Sequence, residues 1–223
     1  SPVSSRVMPP TTSSMPAQIY LASQSPRRRE LLAMWGVEAS LLLPEPSEDA
    51  EALETVRPGE RPLRYVKRVT QAKLTAAAQR LARLGRPKLP ILCADTTVAL
   101  GDLILGKPAS PDDAKRLLAL LSGQTHRVFT AVSVGYWYGT NQWLSRQLVS
   151  QSQVTFAALS ATQINAYVDS QEPMGKAGAY AVQGLGGLFI TNIKGSYSGI
   201  MGLPAYETGQ LLVQAGVSLA VAT

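Results

Sequence analysis

One cysteine and one histidine occur in 223 residues. Cys93 alone can close no internal disulfide and build no cysteine-rich zinc site, which fits a reducing, cytoplasmic compartment. His126 alone excludes paired-histidine metal motifs and leaves a Ser-His-Asp triad open only through itself. A neighbouring threonine or a partner strand can satisfy it structurally, and one unaccompanied histidine is a poor sign of a general base. A metal, if bound, must then take most of its ligands from carboxylates, which favours Mg²⁺ or Mn²⁺ over zinc. Long apolar runs are missing too, so no segment reads as a membrane span. Neither a GxxxxGK[ST] loop, nor a strand–GxGxxG–helix setting, nor an internal repeat is found.

What is present describes an ordinary globular chain, with 45% apolar and 16% charged residues. Its length suits one large domain or one domain with two lobes. The 21 basic residues against 15 acidic ones leave a net charge of +6, which suits an anionic partner. Residues 1–17, rich in Ser, Thr and Pro, read as a disordered leader with no apolar signal region, and 18–223 as a single domain. From Gln18 the pattern turns to a strand, QIYLA, then Ser23-Gln24-Ser25 and a helix ending at Gly36. A second apolar run covers 37–43. An acidic stretch holding Glu45, Glu48, Asp49, Glu51, Glu54 and Glu60 follows, and then a basic amphipathic helix over 61–84. Strand 89–95, a hairpin over Gly101-Asp102, a capped helix from Ser110 to about Leu121, and long strands near 125–138 and 142–156 come next. A capping box at Ser160 opens a short helix to Asp169; a strand returns around 187–193, and a helix spans 204–215. Interleaved strands and helices with one long adjacent strand pair predict an α/β fold on a mixed sheet.

Several segments carry candidate chemistry. In Ser23-Gln24-Ser25-Pro26-Arg27-Arg28, a capped helix start with proline at its first position sets unpaired N–H groups and arginines at a strand's end, a geometry that binds phosphate. A solvated basic helix start is the plainer alternative. Asp95, placed at the end of the apolar strand and followed by Thr96-Thr97, can hold a metal or activate water, or serve as a turn residue. Lys107 sits in the stiff turn Gly106-Lys107-Pro108, where it meets either a phosphate or solvent. Lys176, Gln183 and the surrounding glycines suit close backbone approach to a ligand. The basic helix 61–84 lacks interleaved aromatics, so a solvated face is favoured over a nucleic-acid groove.

Taken in order, LASQSPRRRELL, CADTTV, ILGKP, LSGQTHRV, EPMGKAGAYAVQGLGG and GSYSGIMGLPAYET resemble the Maf family of nucleoside triphosphate pyrophosphatases, also described as septum-formation inhibitors. The resemblance covers 18–215. It implies a two-lobed α/β structure with a central cleft, like that of inosine-triphosphate pyrophosphatases, and divalent-cation-dependent cleavage between the α and β phosphates. It implies Asp95 as proton acceptor, and Ser23, Arg27, Arg28, Lys73, Lys107 and Lys176 as phosphate-binding residues. Asp95 and Glu48 are the implied metal ligands, for Mg²⁺ or Mn²⁺. KAGAY-x-x-QGLGG resembles the branch acting on dTTP and UTP, with Arg27, Thr96 and Gln183 at positions tied to the base. A neutral Gln amide, both donor and acceptor, suits a pyrimidine edge, whereas Glu suits a cationic methylated guanine. The alternatives are 7-methyl-GTP hydrolysis, a nucleotide-binding regulator of septum formation with little turnover, and a nucleic-acid module resting on the net charge. Family members are often dimers, though no stripe here marks an interface. The chain departs from the branch at Gly175, where Asp is common, at Cys93, where Gly is usual, and at Gly199-Ile200-Met201.

Overall fold

A computed structural model describes residues 15–221, so most of the proposed leader lies outside the described residues. A mixed sheet organises the chain. Strand β1 (Ile19–Leu21) pairs in parallel with β2 (Ala39–Leu41) on one side and β3 (Ile91–Leu100) on the other. Strands β4 (Leu103–Leu105) and β5 (Thr125–Tyr138) both run antiparallel to β3; β6 (Gln142–Phe156) and β7 (Ile190–Lys194) complete the order β2-β1-β3-β5-β6-β7.

Among the described residues six α-helices cover the sheet: α1 (Pro26–Met34), α2 (Pro62–Leu84), α3 (Pro111–Leu121), α4 (Ala161–Asp169), α5 (Tyr197–Met201) and α6 (Ala205–Gln214). Their ends follow local chemistry. Ser25, Ser110 and Ser160 each accept a backbone N–H at their helix start, with proline opening α1 and α3. Gly85 ends α2 in the left-handed conformation that L side chains disfavour.

The period-two alternation of the strands divides the core into layers. Tyr20, Ile91 and Cys93 pack under α2 with Leu74, Ala77 and Leu81. Ile19, Leu21, Leu92 and Ala94 turn the other way, onto Leu31 and Leu32 of α1 and Leu211 and Leu212 of α6. A second lobe gathers Val98, Leu105, Leu117, Leu118, Phe156, Tyr167 and Tyr180 around α3 and α4.

Three readings change. The run 89–95 and the first arm of the hairpin are one ten-residue strand, because β5 pairs with β3 continuously from Ile91 to Ala99. Residues 185–189 form a short 3-10 turn, leaving β7 to start at Ile190. The five-residue α5, within a Gly- and Ser-rich stretch of no clear period, was not expected.

On its other edge β3 is paired only at its ends: β1 reaches Leu92 and β4 begins at Val98, so among the described residues no strand pairs with 93–97 there. This gap positions the site. Leu74, wholly buried beside the cleft residue Lys73, is the test of the layer beneath it. Leu74→Ala is expected to destabilise the fold by about 2–5 kcal/mol, read as a lower urea midpoint at unchanged slope.

Candidate active site

A cleft of about 1120 Å³ opens at the gap, and all the residues expected from the sequence line it: Ser23, Arg27, Arg28, Glu48, Lys73, Asp95, Thr96, Lys107, Lys176 and Gln183. Strand parity explains the central pair. Asp95 shares the face of Ile91 and Cys93 and meets Lys73 of α2, while Thr96 shares the face of Leu92 and meets Arg28 of α1. Asp95 therefore lies mid-strand, and it is the end of β1, not of β3, that opens the cleft beside it.

Arg28 is held in place without a carboxylate. Its Nε donates to Gly202 O at 2.7 Å, and its terminal nitrogens donate to Ser23 Oγ and Thr96 Oγ1, both at 3.1 Å. Thr96 Oγ1 in turn bonds Thr130 Oγ1, which donates to Gly199 O at 2.6 Å. Arg27 Nε reaches Met201 O at 3.4 Å, so the carbonyl end of α5 orients both arginines. Burial lowers the pKa of Arg28, an effect opposed by the Asp95 charge, and burial also lowers that of Arg27. Half-buried cations that make no direct ion pair among the described residues favour an incoming anion.

Lys73 Nζ lies 2.8 Å from Glu54 Oε1 and 3.4 Å from Asp95 Oδ1. Burial works to lower its pKa, but the Asp95 and Glu54 charges outweigh it and hold the ammonium above its ordinary range. Burial likewise works against ionised Glu54, yet its bond to Lys73 and the nearby Lys107 and Arg28 charges keep it below the usual carboxylate range.

Glu54, not the expected Glu48, is thus the carboxylate set beside Asp95. Both oxygens of Glu48 are taken by Arg80, at 2.7 and 2.8 Å, and Glu48 Oε2 also accepts from Glu45 N and Arg83. The Arg80 hydrogen bonds, against the penalty of burial, bring Glu48 down to about 2. Lys73, Arg80 and Arg83 sit at i, i+7 and i+10, one line along α2, so the helix supplies a cation for each carboxylate. No periodicity in the acidic stretch distinguishes Glu54 from its neighbours; the 3-10 turn Glu51–Glu54 does so.

Lys176 Nζ donates to Glu172 O at 2.6 Å, and burial together with the Arg27 charge lowers its pKa. The Gln183 side chain is exposed and makes no hydrogen bond among the described residues, leaving its donor and acceptor available. Gly175, where the branch commonly has Asp, takes a φ of 77° with open space around it. His126 lies outside the cleft lining: its Nε2 pairs with Tyr180 Oη at 2.6 Å, inside the core.

An α/β fold with cationic side chains converging on an open strand edge defines a phosphate-ester or anhydride-binding protein. Comparison with known sequences places it further. Residues 18–215 match the family model described as Maf-like protein, and the chain belongs to that family. It is 59% identical to a dTTP/UTP pyrophosphatase of Albidiferax ferrireducens over 89% of this chain and 96% of that protein. It is 56% identical to a dTTP/UTP pyrophosphatase of Polaromonas sp. over 92% of this chain and the whole of that one. Among solved structures it is similar to a HAM1 protein from Coxiella burnetii, at 14% identity and a TM-score of 0.40, over 73% of this chain and 86% of that one.

His126 supplies a pH test of the core behind Tyr180. Burial depresses it to about 4, whereas the unfolded imidazole titrates near its ordinary 6.5. Unfolding thus takes up a proton below about pH 6.5, so stability is full above that pH and falls on acidification toward 4. Being the only histidine, it should give a slope between pH 7 and 5.5 of at most about 1.4 kcal/mol per unit. Denaturant titrations of His126→Gln are expected to lose that slope.

Proposed function

We propose that this protein hydrolyses dTTP and UTP to the monophosphate and pyrophosphate, with Asp95 as the group that takes the proton from the attacking water. The observation that carries this reading is a shared carboxylate site, Asp95 with Glu54 on Lys73, in one cleft with Arg27, Arg28, Lys107 and Lys176, cations that make no direct ion pair among the described residues. The names of the similar proteins support the same substrates.

The triphosphate lies along the cations. The N-terminus of α1, where Arg27 N–H has no partner among the described residues, and the Arg27 and Arg28 guanidiniums hold phosphate oxygens; Lys107 and Lys176 supply point charges. Asp95 orients a water in line with the α-phosphorus and accepts its proton. The new P–O bond forms as the bond to the β-phosphate oxygen breaks, and pyrophosphate leaves with its charge spread over the cations. Lys73 holds Asp95 and Glu54 together against their mutual repulsion.

Among the described residues no three His, Cys, Asp or Glu side chains converge on a point. Two carboxylates, Asp95 and Glu54, meet at Lys73 Nζ, and hard oxygen donors of that number suit Mg²⁺ or Mn²⁺, which take further ligands from substrate phosphates and water. Asp95 and Glu54 would hold the ion, which when bound polarises phosphoryl oxygens as a Lewis acid. Burial pushes the Cys93 thiol up to about 12, leaving it inert.

Asp95→Asn is expected to lower dTTP turnover on the order of 10²-fold or more while calorimetry still detects nucleotide binding; near-normal turnover would sink the assignment. Gln183→Glu should shift preference away from dTTP and UTP, with unchanged ratios across a nucleotide panel refuting a role for the amide in reading the base.

A further inference from the structure

The loop 181–186 presents Gln183 at the cleft, and its backbone is tied down at both ends by two side chains outside the reaction. Ala181 N donates to Tyr167 Oη at 3.1 Å. Leu185 N and Gly186 N donate to the two oxygens of Glu172, each at 2.9 Å. The Tyr167 hydroxyl itself donates to Glu172 Oε2, so the two anchors are one unit. Tyr167 is buried on α4, its ring edge-on to Phe189.

Gly184 and Gly186 of this segment have a structural reason in that unit. A Cβ on Gly184 would fall 1.9 Å from Glu172 Oε1, and one on Gly186 would fall 2.7 Å from both Tyr167 Oη and Ala181 O. Only bare backbone lets the carboxylate seat against the loop. The Glu172 carboxylate accepts three hydrogen bonds, and an ionised acid can accept them all whereas an amide nitrogen cannot.

We infer that Glu172 and Tyr167 are positioning residues for base recognition: their clamp preorganises the loop so that the Gln183 amide is presented to the pyrimidine edge without further ordering. This rests on the reading of Gln183 as the base-contacting residue. An exposed glutamine on an unclamped glycine-rich loop must be ordered at binding, which costs affinity and blurs discrimination. Neither anchor's side chain contacts the reacting groups, and Glu172 meets Lys176 only through its main-chain carbonyl, which Glu172→Gln keeps, so the chemical step is spared.

The test is steady-state kinetics of Glu172→Gln, Tyr167→Phe and Gln183→Ala on dTTP, UTP and dGTP, with folded fraction checked by circular dichroism. Glu172→Gln is expected to raise KM for dTTP and UTP on the order of tenfold, to narrow the preference over dGTP, and to leave kcat within about threefold. Tyr167→Phe, which keeps the packed ring, should move the same parameters the same way and decides the matter if Glu172→Gln does not fold. Gln183→Ala should narrow the preference at least as far. If Gln183→Ala narrows it but neither anchor variant does, or if the anchors lower kcat for every nucleotide alike at unchanged KM, the clamp is refuted and the base reading stands. Unchanged ratios in Gln183→Ala would overturn the base reading and the clamp with it.

Discussion

The unpaired stretch of β3 is the constraint from which the site follows. A central strand normally spends both edges on ladder hydrogen bonds, yet here β1 stops at Leu21 and β4 begins only opposite Val98. The chain leaves β1 through Ser23 and enters α1 directly beside the gap, bringing a helix N-terminus and two arginines to the edge of the sheet. Because successive residues of β3 face opposite layers, one strand gives Asp95 to the α2 side and Thr96 to the α1 side. The carboxylate proposed as the base and the hydroxyl that anchors Arg28 are thereby one peptide bond apart.

Charge balance completes the arrangement. Glu48 is neutralised by Arg80 and serves to fasten its loop to α2. Asp95 and Glu54 share one lysine, while among the described residues the Arg28 guanidinium donates to neutral oxygens alone. Among the described residues Arg27, Arg28, Lys107 and Lys176 make no direct ion pair, which leaves positive charge in the cleft for the anionic substrate. Neutral acceptors orient Arg28 without quenching it, so its field remains directed at the ligand. A carboxylate in their place would have held the side chain as firmly and removed its attraction for phosphate.

Much of the fold was legible where local chemistry is unambiguous. The apolar spacing from Pro62 to Leu84, the serine caps and the long pair 125–138 and 142–156 all appear as expected. What escaped depends on pairing between distant segments. The unity of β3 is imposed by β5, and α5 is too short to show a period. The residues lining the cleft were legible through the family resemblance, but the pairing of Glu54, rather than Glu48, with Lys73 was not: both lie in an acidic stretch, and only folding against α2 sends one to Arg80 and the other to Lys73. Gly175 carries its own reason, since its positive φ favours glycine whatever the branch commonly places there.

In the proposed reaction, water poised by Asp95 attacks the α-phosphorus of a triphosphate lying along the cations. Hydrolysis of dTTP in ¹⁸O-labelled water, with the products weighed by mass spectrometry, tests it directly. Label in the monophosphate, with unlabelled pyrophosphate, is the predicted result. Label in the pyrophosphate would place the attack on the β-phosphorus and contradict the role assigned to Asp95.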